Sequence, residues 1–310
     1  MLALANNRCA LEPVLLRSMR ILKLARPAAR KLLGPRIGKY VRRWFPRTVP
    51  ENNAYRSHVT GKIGLEIGGP SEIFGDGGPL ACYDILDRVD NCLFSARTIW
   101  TGAAPAGRGF EYHPRKQPGT QFICDATDLK PIQDASYECI LSSHCLEHVA
   151  NPLRALAEWR RVLRADGLLL LVLPHKDATF DWRRPVTLLA HMIEDHAKNV
   201  GEDDLTHLPE ILCLHDLTKD ARAGSAEQFR ARCVENFGNR AMHHHVFDTP
   251  AAISLVDYAC FKVMRVENLE PYHITILARR SAGMPDNAWC LGPKAEYRCF
   301  RPFAFDRPQL

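Results

Sequence analysis

An acid two residues ahead of a glycine pair, and histidines set among carboxylates, are the residues of this chain whose types and spacing could do chemistry. Ile63-Gly64-Leu65-Glu66-Ile67-Gly68-Gly69-Pro70-Ser71 reads as a short apolar strand ending in an acid, then a tight turn, then a helix start. Glycines there let the backbone turn sharply and let a ligand approach main-chain atoms that a Cβ would block. An acid beside such a turn accepts hydrogen bonds from amines or hydroxyls, so the group fits a nucleoside-type cofactor at the first crossover of an α/β sheet. A plain strand-to-helix turn is the alternative. The second group spans residues 190–220, with His191, Asp195, His196 and His207 among further acids, and is followed by His243-His244-His245. His191 and Asp195 stand one helical turn apart. Three uses stay open: a polar lid recognising a hydroxyl-rich substrate such as a sugar, a divalent metal site, or a solvated acidic insertion. Arg183 and Arg184 could clamp a substrate carboxylate or phosphate, or simply be solvated.

The elements that must position these residues alternate. Strand-like runs fall at Lys62–Ile67, Leu80–Tyr83, Gln121–Cys124, Tyr137–Ser142 and Leu168–Leu173. Asn151-Pro152, an N-cap followed by proline, opens a helix that stops in Arg164-Ala165-Asp166-Gly167. Thr249-Pro250 opens another, ending near Tyr258, and Lys262–Val266 and Ile274–Ala278 are spaced for an antiparallel pair. Such alternation predicts an α/β, Rossmann-like, doubly wound sheet, mostly parallel, with helices on both faces and an antiparallel last strand. The expected organisation is a basic amphipathic helical extension over 1–50, a catalytic domain over 51–285 with a His/acid-rich insertion at about 176–248, and a tail over 286–310.

Composition narrows the function classes. The longest strongly apolar run, Leu168 to Leu173, is too short to span a bilayer. Eleven cysteines with no CxxC spacing argue for free thiols in a reducing compartment, so a cytoplasmic location is expected. Residues 1–50 carry 12 Lys plus Arg against Glu12, a charge of +11, while the whole chain is +6, which leaves −5 for residues 51–310. A net-negative body argues against nucleic acid as a partner. The leader sets apolar Val14, Leu15, Met19 and Leu22 between arginines and lysines, and peripheral contact with anionic membrane through residues 1–47 is one reading of it. Organellar import and a solvated extension are the others.

With these pieces in order over roughly residues 60 to 280, the chain resembles the class I S-adenosylmethionine-dependent methyltransferases, small-molecule type. Leu65-Glu66-Ile67-Gly68-Gly69 is similar to the family's acid-x-Gly-x-Gly motif, with Pro70 in place of a third glycine. Cys124-Asp125-Ala126 stands where the family binds the adenine amine. Ser143-His144-Cys145-Leu146-Glu147-His148 is similar to its post-fourth-strand segment. Arg161-Val162-Leu163-Arg164-Ala165-Asp166-Gly167 replaces its glycine-rich helix stop. The resemblance implies S-adenosyl-L-methionine as cofactor, held by Glu66, Gly68, Gly69, Asp125, Ala126 and Ser143. A ribose acid is expected at the end of the second strand, for which Asp84 and Asp87 both fit. No metal is implied. Methyl transfer to a hydroxyl or a carbon acid wants a base, and His144, His148 and His175, each following a strand, are the candidates. Arg183, His191, His244 and His245 are the expected contacts to a small-molecule or glycan-type acceptor. A metal-dependent hydrolase using the insertion, or a non-catalytic scaffold keeping the fold, are the competing readings.

Overall fold

The computed structural model describes residues 52–104, 106–298, 303, 304 and 306. The basic leader lies outside the described residues, as does part of the tail. Helix α1 (Asn52–Val59) leads into β1 (Ile63–Ile67). After a long loop come β2 (Arg88–Leu93), a small hairpin of β3 (Arg97–Thr98) and β4 (Gly102–Ala103), then β5 (Gly107–Phe110), β6 (Gly119–Ile123) and β7 (Tyr137–Ser143). Helix α2 (Pro152–Val162) and β8 (Leu163–Pro174) follow. Helix α2 begins as expected, with the Asn151 side chain accepting from Arg154 N at 3.0 Å and Pro152 in the first turn. The chain ends its described core with α7 (Thr249–Tyr258), β9 (Phe261–Leu269) and β10 (His273–Arg280).

One eight-stranded sheet runs in the order β5-β6-β2-β1-β7-β8-β10-β9. Pairs β6–β2, β2–β1, β1–β7 and β7–β8 are parallel, whereas β10 is antiparallel to both β8 and β9, and β5 is antiparallel to β6. The doubly wound sheet with an antiparallel last strand is therefore present. From β1 the chain winds outward to β2 and β6, then returns to the other side of β1 with β7. That reversal between β1 and β7 is the topological switch point, whose carboxyl-end crevice is where such sheets bind ligands.

Strand β8 shows why the sheet is covered on both faces. Leu169, Leu171 and Leu173 pack into one core with Trp159 of α2 and Ile253 of α7, while Leu168, Leu170 and Val172 pack into the other with Tyr55 and Val59 of α1. An unbroken apolar run alternates between two buried faces.

The second strand corrects the sequence reading. Leu80–Tyr83 forms no strand; Leu80, Cys82 and Tyr83 are core-filling loop residues. The strand is Arg88–Leu93, concealed because it buries Asp90 and Asn91 where an apolar side chain would mark a core strand. Their polar groups are satisfied: Asp90 accepts from Tyr137 Oη and Thr120 N, each at 2.8 Å.

Between β8 and α7 lies the insertion, with α3 (Leu189–Lys198), α4 (Leu208–Leu214), α5 (Ala226–Val234) and α6 (Asn236–Asn239). It has a small core of its own, formed by Ile211, Phe229, Cys233 and Met242 among others.

Candidate active site at the switch point

The glycine turn leaves β1 at the carboxyl edge. Gly68 adopts φ +88, the left-handed region that favours glycine, and donates to Cys92 O at 3.0 Å. Gly69 is needed for a different reason: a Cβ there would stand 2.2 Å from Glu66 Cδ. Asn91 clasps Gly69, its side chain accepting from Gly69 N at 3.0 Å and donating to Gly69 O at 3.1 Å. Glu66 is fully buried, and its Oε2 accepts from Tyr83 Oη at 2.7 Å while Oε1 has no hydrogen-bond partner. Burial pushes the carboxyl up to about 7 against the pull of Ser71 and Tyr83.

Across the switch point, β7 ends in the histidine segment. Cys145 lies 3.4 Å from where a Gly68 Cβ would be, so the two loops touch. His144, at φ +50, contacts His273 Nδ1 through Nε2 at 2.8 Å and Glu147 Oε1 through Nδ1 at 3.5 Å. His148 donates from Nδ1 to Met242 O at 3.1 Å. Glu147 is buried, with Oε2 unpartnered. Burial alone would raise its pKa, but His144 and His148 outweigh that and hold it below the ordinary carboxylate range.

The insertion is pinned over this edge. Arg184, 1% exposed, pairs with Asp181 at 3.1 Å and Glu210 at 2.8 Å and donates to His243 O. His243 Nδ1 meets Asp181 Oδ2 at 2.6 Å. Burial would raise Asp181, yet His243 and Arg184 keep it at about 2. Arg240 bridges Asp125 at 3.0 Å and Glu202 at 2.9 Å, and Glu202 Oε1 accepts from Ala150 N. The hairpin adds a lid of its own, with Trp100 5.4 Å from the His148 ring.

The fold gathers His144 and His148 beside the glycine turn and disperses other expected site residues. Asp125 follows β6 at the same edge, holding Thr127 N and Oγ1 through Oδ1 and Arg240 through Oδ2. Ser143 closes β7, and Ala126 gives its carbonyl to Trp159 Nε1 at 3.1 Å. Asp87 precedes β2, and its N–H donates to Lys62 O ahead of β1, so it sits at the amino edge, about 17 Å of strand away from the turn. Asp84 is held by Arg56 through two bonds of 2.8 Å. Neither stands at the end of β2, where Leu93-Phe94-Ser95 carries no acid; the misplaced strand carried both assignments with it. His175 is fully buried, accepts from Asp177 N, contacts Asp306 at 3.2 Å and stacks on Phe303, so both ring nitrogens are spent on structure.

Arg183 is half exposed, 3.7 Å from Asp216 and over the Trp182 ring. His191 contacts His207 at 3.0 Å and Asp195 at 3.3 Å. His244 accepts from Asn236 Nδ2 at 3.0 Å, and burial lowers it to about 3. His245 contacts Ala150 O at 3.2 Å. The three consecutive histidines thus face three different partners. Sequence reasoning left Arg240 unnamed and gave Asp181, Glu202 and His243 no role of their own. Their signal is only the charge of each residue, and their meeting depends on long-range packing.

A family model described as a methyltransferase domain matches residues 109–171, from β5 into β8. That match lies within the doubly wound sheet and supports a class I S-adenosylmethionine-dependent methyltransferase domain. An uncharacterized 37.1 kDa protein in transposon TN4556 of Streptomyces fradiae is 45% identical over 53 residues, 17% of this chain and 15% of that protein. Among solved structures, the chain is similar to a SAM-dependent methyltransferase from Aquifex aeolicus (11% identity, 81% of this chain and 96% of that one, TM-score 0.40). It is also similar to a 1,6-didemethyltoxoflavin-N1-methyltransferase from Burkholderia thailandensis (12% identity, 91% and 93%, TM-score 0.40), whose structure holds S-adenosylhomocysteine. At such TM-scores these likenesses decide nothing about what the chain acts on. Among its described residues no helix is long and apolar enough to cross a membrane.

Proposed function

We propose that the protein moves a methyl group from S-adenosylmethionine to an oxygen, nitrogen or carbon of a small or glycan-linked polar acceptor. The observation that carries this reading is the meeting of the glycine turn after β1 with the histidine segment after β7, under a polar insertion, at the switch point. The residues present fit the methionine end of the cofactor. Gly68 is in the open glycine conformation, and the buried, unpartnered Glu66 Oε1 is an acceptor suited to an ammonium. Asp125 is the acid at the adenine position in this reading.

When bound, the cofactor supplies an electrophilic methyl on a sulfonium, whose departure leaves a neutral group. The protein's own share is therefore positioning, water exclusion and proton removal. His144 and His148 are the candidate bases at this edge, and the His144 ring would have to give up its contact with His273 or Glu147 to take a proton from an acceptor. Trp100 and the insertion close the edge to solvent. For the leader, outside the described residues, we retain contact with an anionic membrane surface as the proposal.

Calorimetric titration with S-adenosylhomocysteine tests the reading. Binding should weaken in Glu66→Gln and Asp125→Asn; no heat from the folded wild-type chain would overturn it. A mass-spectrometric screen of hydroxylated acceptors then looks for the gain of one methyl.

A further inference from the structure

We infer that Glu147, His148 and His243 form a binding site for one divalent transition-metal ion beside the switch point. One ligand atom from each lies within 4.8 Å of the other two, and the two imidazole rings are 4.4 Å apart. Two imidazoles and one carboxylate are the donor set of open zinc and non-haem iron sites.

Each donor is also held as a ligand would be. His148 Nδ1 is fixed by Met242 O, and His243 Nδ1 by the Asp181 carboxylate, which leaves Nε2 as the remaining nitrogen of each ring. A backbone carbonyl or a carboxylate behind the ring is how metal-bound histidines are oriented. Asp181 is in turn locked by Arg184. Glu147 is 1% exposed, and its Oε2 has no partner. A buried carboxylate oxygen without a donor is costly, and a cation between the two rings removes that cost. His148 is partly exposed, whereas only 9% of the His243 side chain is, so an ion reaches the set from the His148 side.

The neighbouring set of His191, Asp195 and His207 meets the same distance test but differs in chemistry. Its two Nε2 atoms already contact each other, at 3.0 Å, with Asp195 3.3 Å from His191 Nε2, and among the described residues neither ring shows a partner behind it at Nδ1. It is the natural control.

An ion at the first set would hold an acceptor oxygen next to the glycine turn and make its hydroxyl more acidic. That use of the ion rests on the methyl-transfer reading; the site itself does not.

The test uses the full chain, stripped with a chelator and titrated with cobalt(II), then with zinc in competition. One equivalent of cobalt should bind and give the visible bands of a histidine–carboxylate site, and zinc should displace it. Glu147→Gln and the double variant His148→Ala/His243→Ala should lose the bands, whereas His191→Ala should keep them. Asp181→Asn should weaken cobalt binding by about 10–100-fold, as removal of an outer partner does. Circular dichroism establishes that each variant is folded. No binding by the wild type, bands that survive in Glu147→Gln, or bands lost only in His191→Ala would each overturn the site. Failure of S-adenosylhomocysteine to bind, with cobalt binding intact, would instead fault the methyl-transfer reading alone.

Discussion

Glu66 stands fully buried at the turn with one oxygen unpartnered, and burial raises its carboxyl from 4.5 to about 7. The native state therefore holds a proton that the unfolded chain releases at lower pH. The stabilisation from this group is fully present below about 4.5 and is lost as pH rises through about 7. The full span is on the order of 3 kcal/mol. Urea midpoints measured from pH 5 to 8 should fall across that window and flatten in Glu66→Gln. A Gln variant as pH-sensitive as the wild type would show that another group is responsible. The Glu66-x-Gly pattern was legible because it is local. That Gly69 must be glycine to make room for the Glu66 carboxyl itself was not, since the same spacing serves a ligand equally well.

Elements decide where the histidines go. The insertion is held together by Arg184, whose guanidinium is buried with Asp181 and Glu210, and is fastened to the edge by Arg240 on Asp125. Removing one partner of a buried pair strands the other charge, so Arg184→Ala should cost about 3–5 kcal/mol. The adjacent Arg183 is half exposed and should cost only about 0–1 kcal/mol on the same change. Denaturant curves of the two variants compare them directly. Equal losses would mean that the buried pair does not hold the insertion. The two arginines look alike in sequence, and only burial separates them. Strand β2 was hidden for a related reason: period and apolarity mark strands whose core side is apolar, and Asp90 and Asn91 are buried there through specific partners.

At the scale of the whole molecule, charge divides a leader of +11 from a body of −5. A cationic apolar segment binds anionic lipid through both charge and burial, and salt weakens the first. Deleting residues 1–47 should leave S-adenosylhomocysteine affinity unchanged and abolish salt-sensitive flotation with anionic vesicles. An intact chain that ignores such vesicles at low salt would sink the membrane proposal.

The sequence by itself determined the α/β alternation, the glycine turn, the capped start of α2 and the antiparallel last strand, because periodicity, caps and turns are properties of neighbours in the chain. Tertiary structure alone decided that Asp87 lies at the far edge, that His175 is walled in, and that Glu147 and His148 meet His243, 95 positions further on than His148. Those outcomes depend on which strand neighbours which and on how a separately cored insertion docks, and local pattern carries no information about either.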